Sequence, residues 1–235
     1  MSEGRQGRTG DGVRRALDVI IALVAGVALS PILLLTAVLV GRRLGRPILF
    51  RQRRAGLAGR TFTLLKFRSL QDLRDEQGNP LPDGDRIDAF GRFLRSTSLD
   101  ELPQLWNVLR GDMALIGPRP LLPEYVPLYS REQARRHVVK PGLTGWAQVH
   151  GRNETSWEER LALDVWYVDH RSARIDLIIL WRTVRLVLGR QGVSNTDHVT
   201  MERFRGAVTD APAVTVEGSP GETVRNERRT AEQGA

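Results

Sequence analysis

The chain has 235 residues, 35 Lys and Arg against 27 Asp and Glu, a formal net charge of +8 and no cysteine. That length suits one main domain with a short accessory segment. Disulfides, thiolate metal sites and cysteine nucleophiles are excluded, and the positive charge asks for a polyanionic partner: nucleic acid, an acidic membrane surface or a phosphorylated substrate. Lys66 and Lys140 are the only lysines, so nearly all of the positive charge is arginine, whose planar fork grips phosphate.

Residues 1–12 are polar and glycine-rich and read as a disordered leader. Val19 to Val40 is an uncharged run of 22 residues. As a helix rising ~1.5 Å per residue it just crosses a hydrocarbon core of ~30 Å. It is too long for a signal-peptide core, and no cleavage site follows it. Ser30-Pro31 lies near its centre, where proline removes a backbone donor and predicts a kink or break. Arginines crowd both flanks, Arg5, Arg8, Arg14 and Arg15 before the run and Arg42, Arg43, Arg46, Arg51, Arg53 and Arg54 after it. The positive-inside bias therefore favours both ends on one face, a segment that dips in and returns; the alternative is a proline-kinked span.

Ile48–Phe50 and Thr61–Phe67 read as strands joined by a turn at Arg54–Arg60. Gln71–Gly91 is rich in Asp, Gly and Pro and predicts a surface loop. Its Asp83, Asp85 and Asp88 lack the loop glycine and terminal glutamate of an EF-hand. Leu102, Leu105, Trp106 and Leu109 give Leu99–Arg110 a helical spacing, and Trp157–His170 and Asp176–Leu188 are further predicted helices. The last is very apolar and carries Arg182, Arg185 and Trp181, which suits either a headgroup-level helix or a core helix. Beyond Arg205 the chain is polar and aperiodic, and the tail is expected to be disordered.

The most specific chemistry lies between Ser96 and Pro120. Adjacent acids on a helix point ~100° apart, so Asp100 and Glu101 suit two roles, one attacking and one holding a cation, better than a shared proton. The competing reading is a capping box, with Ser98 as cap and Glu101 reaching back, which Pro103 disfavours. Gly117-Pro-Arg-Pro120 is a stiff turn that presents Arg119 at low entropic cost, as a phosphate clamp needs. Arg95, Lys66 and Arg68 add positive charge nearby in sequence. Between Arg136 and Asn153, three glycines would let the backbone approach a ligand, with charge from Arg136, Lys140 and Arg152. His137 and His150 read as structural.

Together these segments resemble the bacterial sugar transferase family, the monotopic polyprenyl-phosphate phosphoglycosyl transferases. The match runs from about Arg14 to Leu188. It rests on Arg15-Ala-Leu-Asp18, Ser30-Pro31, Gln52-Arg53-Arg54, Lys66-Phe-Arg-Ser69, Ser98-Leu-Asp-Glu-Leu-Pro-Gln104, Gly111-Asp-Met113, Gly117-Pro-Arg-Pro120 and Lys140-Pro-Gly142 leading to Gly151-Arg-Asn153.

The resemblance implies an α+β fold in four parts: a leader (1–12), a re-entrant helix-break-helix (13–41), a mostly helical catalytic domain with a small β element (42–205) and a tail (206–235). It implies that Asp100 attacks the β-phosphate of a UDP-sugar and releases UMP, and that undecaprenyl phosphate then takes the phosphosugar. Glu101 becomes a Mg²⁺ ligand, and Arg95, Arg119, Arg136, Arg152, Lys66 and Arg68 become phosphate-binding residues. The implied partners are UDP-sugar, undecaprenyl phosphate and membrane lipids, not nucleic acid, with a homo-oligomer left open. The implied location is the cytoplasmic face of the bacterial plasma membrane. His150 stands where many members carry asparagine and Leu70 where methionine is frequent. Lacking the extra membrane helices of larger members, the chain reads as the minimal catalytic form. The competing classes are a membrane-anchored, non-catalytic scaffold, against which the filled carboxylate and Pro-Arg-Pro motifs argue, and a basic nucleic-acid-binding protein, against which the 22-residue apolar run and the lack of a recognisable binding module argue.

Overall fold

A computed structural model describes residues 3–150, 155–189 and 203–206. Two helices open the chain, α1 (Glu3–Ala28) and α2 (Ser30–Arg43). They meet at Leu29, and their apolar parts are bent by 64°. The bend follows from Pro31, which has no N–H to give the carbonyl of Val27 four residues back. The Ser30 hydroxyl donates to that carbonyl at 2.7 Å, so the break leaves it satisfied. Ser30-Pro31 is thus the helix break expected from the sequence. Among the described residues no single helix is long and apolar enough to cross a membrane. The pair instead exposes an apolar surface that includes Leu17, Val24, Val27, Leu34 and Leu35.

An antiparallel hairpin follows, β1 (Leu49–Ala55) and β2 (Thr61–Phe67), in register from Leu49 opposite Phe67 to Ala55 opposite Thr61. Next come α3 (Asp83–Arg86), α4 (Ala89–Ser96) and, after a 3₁₀ turn at Leu99–Glu101, α5 (Gln104–Arg110). The strand β3 (Ala114–Ile116) pairs in parallel with β4 (Gly142–Thr144) across the short helix α6 (Arg131–Ala134). Three helices complete the fold: α7 (Trp146–His150), α8 (Trp157–His170) and α9 (Ala173–Gly189).

The fold is therefore mixed helix and strand, with three small cores. The first joins Ala22 of α1 to Leu64, Leu105, Val108, Met113 and Leu115. The second packs Val40 of α2 on Phe67 and Leu94, and the third gathers Leu121, Tyr125, Leu161 and Phe204. Polar pins hold the first together. Arg15 donates to the last carbonyls of α5, Val108 at 2.6 Å and Leu109 at 2.9 Å, and Asp18 accepts from the Leu115 amide at 3.1 Å. Fully buried Asn107 spans α5 and β2, accepting from Leu65 N at 3.0 Å and donating to Thr63 O at 2.8 Å.

Several expectations change. The helix α1 starts at Glu3, inside the leader expected to lack structure; adding residues to a nucleated helix costs far less than starting one. Gln71–Gly91 is not all loop: Asp83 pairs with Arg86 in α3, and Asp88 caps α4 by accepting from Gly91 N at 2.7 Å. The helix expected over Leu99–Arg110 is split, because Pro103 cannot continue the turn and begins α5 instead. Glycines 142 and 145 approach the backbone of Gly117 rather than a ligand; a Cβ on Gly142 would lie 2.1 Å from Gly117 N. The hairpin, α8 and α9 lie where periodicity put them. On α9 only Ile179 is buried, while Leu177, Trp181 (59% exposed), Val184 and Leu188 face outward, so it is no core helix. Most of the expected tail lies outside the described residues.

Candidate active site

The carboxylates stand on the 3₁₀ turn Leu99–Glu101, entered through Ser98 at φ 56°, a left-handed conformation uncommon for serine. No side-chain cap forms there. Glu101 turns instead to two cations: its Oε1 accepts from Lys66 Nζ at 2.5 Å and from Arg119 Nη2 at 2.8 Å. This removes the capping-box reading. Lys66 comes from the end of β2 and Arg119 from the Gly117–Pro120 turn, so the hairpin and the segment after β3 clamp the dyad from two sides.

Asp100 is 6% exposed and accepts no hydrogen bond among the described residues; its Oδ2 lies 3.8 Å from Lys66 Nζ. The two acids are driven apart electrostatically. Burial pushes the Asp100 carboxyl up to about 6, against the pull of Lys66 and with the help of neighbouring Glu101. Burial also acts to raise Glu101, but Arg119 and Lys66 outweigh it and hold that carboxyl at about 2. One acid is firmly ionised by its partners, and the other is desolvated and unbonded.

The structure brings some of the remaining expected residues to the dyad and not others. Arg95, on α4, holds Ser69 Oγ with its Nε at 3.0 Å and lends positive potential to Asp100. Arg68 points to the end of α2, donating to Arg46 O at 3.2 Å, with its Nε and Nη2 buried and unpartnered. Arg136 is 2% exposed and committed to Asp164, Nη2 to Oδ2 at 2.7 Å and Nε to Oδ2 at 3.1 Å. Its Nη2 also donates to the Arg119 carbonyl at 2.6 Å. Arg136 thus braces the Arg119 turn and offers no open guanidinium. Arg152 lies outside the described residues. His137 bonds Gly56 O and His150 bonds Trp146 O, so both are structural.

Sequence reasoning missed Asp164, a carboxylate on α8 between buried Leu161 and Val165. An acid on an apolar stripe was the available signal. It also missed the roles of Arg54, whose Nη1 reaches Pro120 O at 3.4 Å, and of Arg160, which precedes Asp164 by one helical turn.

Among the described residues no three His, Asp or Glu side chains converge as a metal cage. Lys66 and Arg119 both bond Oε1 of Glu101, which leaves Oε2 outside those bonds. The donor set fits Mg²⁺, which binds one or two carboxylates and takes the rest of its shell from substrate phosphate and water.

An acid pair braced by arginine, on a fold that also carries a bent apolar helix pair, is suited to chemistry on phosphorylated substrates. Comparison with known proteins agrees: residues 9–190 match the family described as bacterial sugar transferase, and the chain belongs to that family. It is 53% identical over 195 residues to EpsL, an uncharacterized sugar transferase of Bacillus subtilis, covering 83% of this chain and 96% of that one. It is 42% identical over 192 residues to a UDP-glucose:undecaprenyl-phosphate glucose-1-phosphate transferase of Xanthomonas campestris, covering 76% of this chain and 40% of the relative. An Aeromonas hydrophila enzyme, named a UDP-N-acetylgalactosamine-undecaprenyl-phosphate N-acetylgalactosaminephosphotransferase, is 38% identical over 184 residues, covering 75% of this chain and 44% of its own length. The chain thus spans less than half the length of the latter two.

Proposed function

We propose that this protein transfers a sugar 1-phosphate from a UDP-sugar to undecaprenyl phosphate and so starts assembly of a surface glycan. The observation that carries the reading is the division within the dyad: Glu101 bonded to two cations, and Asp100 buried beside them and unbonded. An Asp100 oxygen attacks the β-phosphorus, the bridging P–O bond breaks, and UMP leaves with the electron pair. A phosphate oxygen of the lipid then attacks the same phosphorus and returns the Asp100 carboxylate.

Lys66, Arg95 and Arg119 offset the repulsion between a carboxylate and an anionic diphosphate. Glu101 would hold Mg²⁺, whose chemistry is to neutralise charge on the phosphate oxygens. The relatives named for glucose and for N-acetylgalactosamine are about equally similar to this chain, so the sugar is left open. Purified protein with undecaprenyl phosphate, Mg²⁺ and a panel of UDP-sugars should release UMP from at least one. D100N retaining near-normal transfer would reject the nucleophile, and no UMP from any sugar would favour the scaffold.

The membrane part of the proposal is re-entry. The helices α1 and α2 enter the cytoplasmic leaflet of the plasma membrane, bend at Ser30-Pro31 and return to the same face. The 64° bend, the satisfied Val27 carbonyl and arginines at both ends support this. The outward stripe Leu177, Trp181, Val184 and Leu188 on α9, beside Arg174 and Arg185, suits the headgroup level. The chain lacks cysteine, so E3C gives a single label; its modification by an impermeant reagent in intact cells would overturn re-entry.

A further inference from the structure

Arg119 sits in the Gly117–Pro120 turn; Arg136 donates to its carbonyl and Arg54 Nη1 to that of Pro120, while Arg160 stands on α8 one helical turn before Asp164. Asp164 is taken by Arg136 and Glu101 by Arg119, so Arg54 and Arg160 are left without a carboxylate of their own. Arg54 donates Nη2 to Gln52 Oε1 at 2.6 Å and Nη1 weakly to Pro120 O, while its Nε is buried with no partner. Arg160 is half-buried over the Trp157 ring at 5.9 Å and has no ion pair among the described residues. Both stand close enough to the turn to be opposed by the Arg119 charge. Arg54 reaches the carbonyl next to Arg119, and Arg160 lies one turn from the Asp164 that, through Arg136, holds the Arg119 carbonyl.

Desolvation is costly for a cation whose nearest carboxylate is already paired with another arginine, and an incoming oxyanion relieves it. The strain registers in both side chains. Burial, and then the Arg119 charge, lower the Arg54 guanidinium to about 10, and the same two causes lower Arg160.

We propose that Arg54 and Arg160, near Arg119, form a second anion subsite that takes the phosphate leaving with the nucleotide. The inference rests on the transfer reaction proposed above. Position along the hairpin selects that phosphate over the lipid's. Phe50, opposite Lys66, lies at the end of β1 near α2, where Ile48 packs against the Val40 core. Arg54 leaves the strand four residues further on, roughly 13 Å away at ~3.3 Å per residue. A lipid phosphate emerging beside α2 would meet Lys66 first, which leaves the Arg54 side of Arg119 to the nucleotide end of the diphosphate. When the P–O bond breaks, the new charge on UMP develops between two arginines.

The test is direct UMP binding to the full-length protein in nanodiscs by calorimetry, which needs no turnover, together with the KM for undecaprenyl phosphate. R160Q and R54Q should each weaken UMP binding about tenfold or more and leave the lipid KM within twofold, with R160K recovering part of the affinity. UMP affinity unchanged in R160Q overturns the subsite, as does an equal or larger rise in the lipid KM. If R54Q fails to fold, R160Q and R160K decide, since that side chain is half exposed. Absence of UMP release by wild-type protein would instead defeat the transfer reaction, and the binding comparison would still read the subsite.

Discussion

Two arginine–carboxylate pairs stand on either side of the Arg119 backbone. In one, Glu101 meets Arg119, whose side chain is 40% exposed. In the other, Arg136 meets Asp164 with both side chains sealed, at 1% and 2%. The ion types are the same and the consequences differ. An open pair can exchange partners when an anion or cation arrives. A sealed pair cannot, since separating it strands a charge in a low-dielectric interior. The open pair is suited to chemistry and the sealed one to holding the turn that carries the open one.

That contrast can be broken at several points. Asp100→Asn should have the largest effect, lowering UMP release by at least ~10³-fold, because the neutral amide is a far weaker nucleophile; steady-state release and loss of a trapped phosphosugar adduct check it. Asp164→Ala should destabilise by about 3–5 kcal/mol, the usual cost of stranding one member of a buried pair, read as a drop in the denaturant midpoint. Glu101→Gln should lower activity at least about 10–100-fold, the range seen when only the surroundings of a metal ligand are weakened, and should lower the midpoint less than Asp164→Ala does, because the cations it leaves are partly exposed.

The smallest effect is on pH. Burial, with Arg136 close by, lowers His137 to about 4 against its ordinary 6.5, despite the bond to Gly56 O. The folded state therefore binds that proton less readily than the unfolded chain. Its contribution to stability is complete above about pH 6.5 and is lost as pH falls toward 4. Melting temperature measured from pH 7.5 to 4.5 should fall less steeply in H137Q than in wild type; equal slopes would remove His137 from the account.

The same contrast marks what the sequence disclosed. Local signals carried well: α8 begins at Trp157 and ends at His170 as its spacing predicts, behind a capping box from Ser156 to Glu159. Pro31 and Ser30 announced the bend, and Pro103 hinted at the break that separates the dyad from α5. Pairings across the chain did not carry. Arg136 read as a phosphate ligand because nothing local shows that Asp164, 28 residues on, lies against it. Gly142 read as ligand-approaching because its actual neighbour, the Gly117 backbone, is set by the parallel pairing of β3 and β4. Arg15 and Asp18 belonged to a recognised motif, yet their partners at Val108, Leu109 and Leu115 became visible only in the assembled fold.

Those last contacts make α1 a lever. Arg15 grips the far end of α5, whose near end starts at Gln104, three residues after Glu101. A seven-residue helix is a strut of about 10 Å at ~1.5 Å per residue, so tilting it by about 10° displaces its tip by roughly 2 Å. A change in the angle at which the N-terminal arm rests would thus be transmitted mechanically to the turn that carries Asp100 and Glu101.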